Sequence, residues 1–286
     1  MGQFFIIGNG FDLTHEIKSK YADFKAWLID EGNKEHIQMI EQTFCINGED
    51  WSDYEAALGR YDIEEMYEWI TDGLEIDLNH MMRSQFIYED APDIMMGQFW
   101  QDIHEKFCDW VNSIRVSSAV RIFSLPVHAK YLTFNYTRTL EEVYAIPESQ
   151  ILHIHGCAPS DDLVVGHDCY AAPNPEYGGN QWEMEEGVRE RIKGAMNSNY
   201  KDVQSIIAAN AAYFASLSNV DHITVIGHSY NRIDMPYFRA IKDAVGPQCR
   251  WELCWYTDAD KANAYAMIAA LGIDPALCSF VRTGGQ

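Results

Sequence analysis

No two cysteines of this sequence form a Cys-x-x-Cys pair, so the usual signature of a structural zinc site is missing. The seven cysteines (Cys45, Cys108, Cys157, Cys169, Cys249, Cys254, Cys278) are odd in number and scattered, a usage that fits free thiols in a reducing compartment. Positive charge is scarce: 21 Lys and Arg stand against 43 Asp and Glu, for a net charge of −22. So acidic a surface repels phosphate backbones, which argues against nucleic acid as a partner but leaves room for a local pocket holding a small anion. No Pro-, Gly- or Ser-rich linker divides the chain, and no repeat or low-complexity tract is visible. No uncharged apolar run is long enough to span a bilayer. The opening Met1-Gly2-Gln3-Phe4-Phe5-Ile6-Ile7-Gly8 has no basic region and reaches Asp12 too early for a signal peptide. These absences lead to the expectation of a cytoplasmic protein with no membrane partner.

What is present is a chain of 286 residues, 47% hydrophobic, enough for a sizeable core. Phe4 to Ile7 is an apolar run closed by a glycine turn, the pattern of a buried parallel strand. From about Tyr21 to Phe123 the apolar residues fall three or four apart, as in Ile63, Met66, Tyr67, Ile70 and in Phe99, Ile103, Phe107, Trp110, which predicts a block of amphipathic helices. The tryptophans of this block (Trp27, Trp51, Trp69, Trp100, Trp110) are expected in its core. Strand patterns return at Lys130–Phe134, Ile151–Ile154, Leu163–Val165, His222–Ile226, Arg250–Trp255 and Ser279–Val281. Helical patterns cover Thr137–Tyr144, about Trp182–Leu217, Asp234–Val245 and Asp258–Leu271. Strands alternating with helices imply a parallel sheet with helices on both faces. The expected organisation is a single domain: an α/β, Rossmann-like core at 1–20 and 126–286, with a large helical insertion at 21–125.

Ligands of such sheets bind beyond the carboxyl ends of the strands, so the residues there come first. They are Gly8-Asn9-Gly10-Phe11-Asp12, Asn135-Tyr136-Thr137, His155-Gly156, Gly166-His167-Asp168 and Gly227-His228-Ser229. Gly8 and Gly10 allow close approach to a phosphate, yet the third glycine of a dinucleotide fingerprint is replaced by Leu13, and a tight structural turn is the competing reading. Asp12 is either part of that turn's ligand contacts or a cap of the first helix. Asn135 has the donors and the acceptor to orient a water or a sugar hydroxyl; Thr137 reads as an N-cap of the next helix. His153 and His155, two apart on a strand, share a face and raise the question of a metal pair completed by His167, Asp168 or His228. No metal is expected, because nothing in the spacing demands one. His155 at a strand tip, with Gly156 leaving space beside it, suits general acid–base chemistry instead. Gly227-His228-Ser229-Tyr230-Asn231 imitates a nucleophile elbow, but its second glycine is Asn231 and no histidine follows Ser229, so a serine hydrolase is not expected.

These clusters, in this order, resemble the bacteriophage abortive-infection AbiH family. The stretches that carry the resemblance are Ile6-Ile7-Gly8-Asn9-Gly10-Phe11-Asp12-Leu13-x-His15, Phe134-Asn135-Tyr136-Thr137-x-Thr139-Leu140-Glu141, His153-Ile154-His155-Gly156, and Ile226-Gly227-His228-Ser229 with Asp234. The family usually has a glycine where this chain has Glu16. The order also looks like a distant version of the sirtuin-like domains of antiviral effectors, which cleave NAD at the nicotinamide glycosidic bond. That resemblance implies Asn135 and His155 as catalytic residues, with Thr137 in place of the group's aspartate. It further implies a sirtuin-like fold and a site for NAD or a related nucleotide as substrate, built from Gly8, Asn9, Gly10, Phe11, Asp12, His15, Tyr136, Gly156, Gly227, His228, Ser229 and Asp234. A defence effector that hydrolyses a nucleotide is the leading expectation. A nucleotide-sensing or partner-binding module and a metal-dependent nuclease or phosphohydrolase are the alternatives. A second copy of the chain or a defence-system protein stays open as a partner.

Overall fold

The computed structural model describes residues 2–44, 46, 51, 54–72, 81–172 and 181–283; Cys45 lies outside them. In chain order the strands are β1 (Gly2–Ile7), β2 (Lys130–Thr133), β3 (Ile151–His153), β4 (Val220–Ile226), β5 (Arg250–Trp255) and β6 (Cys278–Arg282). The α-helices are α1 (Asn9–Thr14), α2 (Tyr21–Asp30), α3 (Lys34–Thr43), α4 (Tyr54–Ala57), α5 (Ile63–Thr71), α6 (Met81–Ser113), α7 (Thr139–Glu142), α8 (Gln181–Met196), α9 (Val203–Ala209), α10 (Ala211–Ala215), α11 (Met235–Ala244) and α12 (Asp258–Leu271). They fall into two compact units. One comprises Met1–Lys20, Cys108–Val164 and Asp202–Gln286; the other comprises Tyr21–Phe107 and Val165–Lys201.

The first unit is a Rossmann-like α/β fold. Its six strands form one open, all-parallel sheet in the order β3-β2-β1-β4-β5-β6. The alternation of β1 explains why it sits near the middle. Phe4 and Ile6 enter one core with Leu132, Val225, Phe214, Tyr237, Phe238, Ile241 and Ile268, while Phe5 and Ile7 enter the other with Tyr131, Phe11, Leu140 and Tyr144. Both faces of the strand are buried, so an unbroken apolar run is required, and each large side chain contributes about 1.5–3 kcal/mol by leaving water. The strand order reverses between β1 and β4. From that point β1 runs into α1 on one face and β4 leads to α11 on the other, the divergence at which doubly wound sheets bind ligands.

Several expected elements are shorter than the pattern suggests, and one is not a strand. Leu163–Val165 carries no ladder: the Val164 N–H donates to the His155 carbonyl (2.8 Å) and its own carbonyl accepts from the Tyr136 hydroxyl (2.9 Å). Three apolar residues match a strand tip, but here a loop takes their backbone groups. β3 stops at His153, and the stretch read as one helix over 182–217 is α8, α9 and α10. Asp202 caps α9 by accepting from the Ser205 N–H, and Asn210 breaks the chain between α9 and α10.

The second unit is helical and rich in packed rings. Trp51 stacks on Tyr54 with centroids 5.4 Å apart, Phe24 meets Phe107 edge to face at 5.6 Å, and Trp51 and Trp100 are buried. Lys201 and Glu55 form a nearly dry ion pair of 2.9 Å, and Glu55 also accepts from the Tyr21 hydroxyl. Gly166-His167-Asp168 belongs to this unit and not to the one that holds the sheet. His167 is fully buried, with Nε2 3.0 Å from the Met196 carbonyl, and burial pushes its pKa down. Among the described residues no helix is long and apolar enough to cross a membrane, and six cysteines are free thiols.

Candidate functional site

The turn after β1 is packed from within. The Gly8 N–H donates to the Ile226 carbonyl (2.9 Å), Gly10 N–H to the Gly227 carbonyl (2.8 Å) and Phe11 N–H to the Gly8 carbonyl (2.9 Å). A Cβ on Gly8 would lie 2.6 Å from the Gly227 oxygen, and one on Gly227 only 2.2 Å from the Phe11 nitrogen. Gly227 also has φ +69°, a conformation that penalises side chains. These glycines therefore let the ends of β1 and β4 touch. α1, six residues long, starts with two of its N–H groups already taken by backbone carbonyls.

The polar residues of the turn are engaged too. Asn9 bonds Ser19 through both ends of its amide: Nδ2 donates to the Ser19 carbonyl (3.0 Å) and Oδ1 accepts from its hydroxyl (2.6 Å). Phe11 is fully buried against Phe123, Tyr144 and His15. The Tyr144 oxygen accepts from the N–H groups of Ile122 (2.9 Å) and Phe123 (3.0 Å), so its proton goes to His15 Nε2 at 2.7 Å. His15 is thereby fixed in the Nδ1–H tautomer, and Nδ1 donates to the Phe11 carbonyl at 2.6 Å. His15 anchors α1 to the segment at 122–123.

Asp12 lies at the centre of the next layer. It is fully buried, and neither caps α1 nor reaches the surface. Its Oδ2 is 2.5 Å from the Thr137 hydroxyl, its Oδ1 is 2.8 Å from the Thr139 hydroxyl, and the two hydroxyls are 3.0 Å apart. Both hydroxyls donate to the carboxyl, one to each oxygen. Burial pushes the Asp12 pKa upward, opposed by the hydrogen bonds from Thr137, Thr139 and the Asn135 amide. Thr137 is thus not an N-cap: α7 follows Arg138, whose side chain makes no cap bond.

Asn135, just beyond β2, is 6% exposed and held at three points. Its N–H donates to the Thr133 hydroxyl (3.1 Å), its carbonyl is 3.2 Å from His153 Nδ1, and its side-chain amide donates to Asp12. Its Oδ1 is buried and has no hydrogen-bond partner among the described residues. His153 is itself bound to Glu141 through Nε2 (3.0 Å), and Arg138 stands 3.7 Å from the same carboxylate. The Glu141 carboxyl is lowered despite burial, by its bond to His153 and by the nearby charges.

His155 follows the end of β3, so the face shared with His153 that alternation predicts is lost. His155 Nε2 lies 3.3 Å from the Tyr237 hydroxyl, and the ring is 3% exposed among Phe134, Tyr136 and Tyr237. Phe134 also meets the His228 ring, with centroids 4.5 Å apart, which joins the tips of β2, β3 and β4 in one aromatic cluster. His228 Nδ1 accepts from the Tyr230 N–H (2.8 Å), so its Nε2 carries the proton that faces Asp234 Oδ2 at 3.3 Å. Tyr230 is held at φ +58° in this loop. Ser229 is exposed, and its carbonyl accepts from Asn263. Gly156 has φ +83° and turns the chain away from the sheet. Among the described residues no group of three or more His, Cys, Asp or Glu is arranged around a metal position.

Asn135, His155, Tyr136, His228 and the Gly8–Asp12 turn therefore meet at one rim of one unit; His167 and Asp168 belong to the other unit. Sequence reasoning overlooked Tyr237, Tyr144 and Glu141 as partners. Tyr237 sits on a helix 82 residues from His155, and no spacing rule links them. The Asn135 to Glu141 run did carry a signal for Thr139 and Glu141, since a strand tip followed by a short helix returns both towards the rim.

No curated protein and no solved structure matches the chain. A family model does, that of bacteriophage abortive infection AbiH, over residues 4–255, which takes in every strand tip described above. The chain belongs to the bacteriophage abortive-infection AbiH family, and its role is in abortive-infection defence against phage.

Proposed function

We propose that this defence protein binds NAD or a related nucleotide at the carboxyl rim of the sheet and hydrolyses it at the glycosidic bond. The observation that carries the reading is the Asn135 oxygen: a buried acceptor without a partner among the described residues, at the tip of β2, the strand next to β1. A buried polar atom left unsatisfied costs about 1–3 kcal/mol, a cost that a ligand hydroxyl or an ordered water removes. His155, two residues past the neighbouring strand, supplies an imidazole, a side chain suited to general acid–base work. Ring walls around it provide the dry surroundings in which charge effects are strong.

The chemistry needs little else. The bond between the ribose C1′ and the nicotinamide nitrogen breaks, its electron pair neutralises the positively charged ring, and a water oxygen bonds to C1′. His155 takes the proton that the water loses, and Asn135 holds the water or a ribose hydroxyl in line. The glycine turn serves this reading as a rigid floor rather than as a row of free N–H donors, since its N–H groups at Gly10 and Phe11 are already bonded.

The test is incubation of the pure protein with a panel of nucleotides, products being followed by mass. NAD is expected to yield nicotinamide and ADP-ribose without added metal, and His155→Ala is expected to lower the rate at least a hundredfold while the protein stays folded. If wild-type protein binds a nucleotide but leaves the whole panel intact, the chain is a sensor; loss of turnover in EDTA would point to metal chemistry.

A further inference from the structure

Asp12 is set apart from the other polar residues of the rim. It has no exposed surface, and it sits at the junction of α1, the tip of β2 and the start of α7. Both of its oxygens are fixed by hydroxyls from the same short run, Thr137 and Thr139. The third group that reaches it is the side-chain amide of Asn135. An amide can present either its oxygen or its nitrogen to a ligand, and the choice is made by what holds the other end. With Asp12 holding the nitrogen, the oxygen is the end left over, and Asn135 Oδ1 is buried without a hydrogen-bond partner among the described residues. The backbone of Asn135 is clamped as well, by Thr133 on its N–H and by the His153–Glu141 pair on its carbonyl.

We propose that Asp12, braced by Thr137 and Thr139, is a positioning residue that sets the rotamer and the flip of the Asn135 amide, so that the site offers an acceptor and selects a ligand group that donates: a sugar hydroxyl or a bound water. The proposal rests on the nucleotide reading for the identity of that ligand, but not for the orientation of the amide. It explains why an acidic residue is kept in a fully buried place at the foot of a glycine turn. A carboxyl there needs no counter-cation, because the hydroxyls and the amide satisfy it. It also predicts discrimination: a ligand that places an acceptor against Asn135 leaves two buried oxygens face to face.

The experiment has two arms. In the first, full-length 15N-labelled protein is examined by NMR with no nucleotide added. The Asn135 side-chain amide pair, identified by its disappearance in Asn135→Asp, is expected to exchange with solvent at least tenfold more slowly in the wild type than in Asp12→Ala. Because Asp12→Ala risks failing to fold, Thr137→Val and Thr137→Ser form the safer pair: valine keeps the shape and loses the hydroxyl, serine keeps the hydroxyl. Faster exchange is expected in Thr137→Val and wild-type behaviour in Thr137→Ser. Rapid exchange in the wild type, or equal rates in the valine and serine variants, overturns the positioning role whatever the substrate is. In the second arm NAD is the probe. The kcat of Thr137→Val is expected to fall at least tenfold with KM changed less than threefold, and Thr137→Ser to return to within twofold of wild type. Unchanged kcat in Thr137→Val, with NAD turned over by the wild type, overturns the inference. A wild type that turns over no nucleotide overturns only the proposed function, and the first arm still decides the role of Asp12.

Discussion

The turn after β1 and the strand end after β2 sit side by side on one rim, and both are written in small, polar residues. They end in different states. In the turn, Gly8, Asn9, Gly10, Phe11 and His15 all find partners inside the protein, and the glycines serve the contact with Gly227. At the strand end, Asn135 is gripped on three sides and keeps one oxygen unsatisfied. The difference teaches how to weigh such clusters. Glycine and asparagine at a strand tip announce a tight backbone, whereas the group that points to a ligand is the buried polar atom that the fold does not satisfy.

Four changes would break or sharpen this contrast. The largest effect is expected from Gly227→Ala, which meets both a left-handed backbone and an impossible approach to the Phe11 nitrogen. A loss of about 4 kcal/mol or more in urea unfolding is the expected outcome. Near-wild-type stability would mean that the two turns are not locked together and would return the glycines to the ligand. Next comes Tyr144→Phe. It leaves the N–H groups of Ile122 and Phe123 without their acceptor and His15 without its donor, for an expected loss of about 2–3 kcal/mol. An unaltered unfolding midpoint would contradict the anchoring role of His15.

The third change concerns pH. The Asp12 pKa is raised in the folded state, so between the ordinary aspartate value and that raised value the native chain binds more protons than the unfolded one. Stability contributed by Asp12 is therefore fully present at low pH and declines as pH rises through this window, by at most about 1.4 kcal/mol per pH unit. Asp12→Asn keeps the neutral shape and is expected to flatten that part of the stability curve relative to wild type. An identical pH dependence in the two proteins would show that folding does not raise the Asp12 pKa. The smallest effect belongs to Ser229→Ala. Among the described residues only the Ser229 backbone is engaged, so its stability is expected to stay within about 0.5 kcal/mol of wild type, and any larger loss would reveal a structural partner for the hydroxyl.

Much of the architecture was legible because burial on both faces leaves its mark on every residue of a strand. Phe4 to Ile7, His222 to Ile226 and Arg250 to Trp255 could be placed from apolar runs and the glycine or polar residue that ends them. Leu163–Val165 shows the limit of that signal: three apolar residues fit a strand, but only the surroundings decide whether a ladder takes their N–H groups. The tip residues Asn135, His155 and Gly227 were legible for the same reason as the strands that precede them. Their partners were not. Tyr237, Tyr144 and the bracing of Asp12 by Thr139 depend on which helix returns over which strand end, and side chains separated by 82 to 129 residues share no local pattern.

Taken by itself, the amino-acid sequence determined the alternating α/β class, the parallel sheet and the places along the chain where polar residues interrupt apolar strands, since each follows from local periodicity and burial. Only the tertiary structure decided that His167 belongs to the helical unit, that His153 and His155 serve different partners, and that the Asn135 side-chain oxygen is buried without a hydrogen-bond partner among the described residues. Hydrogen-bond satisfaction is a property of the assembled neighbourhood, and no residue carries it in its own identity.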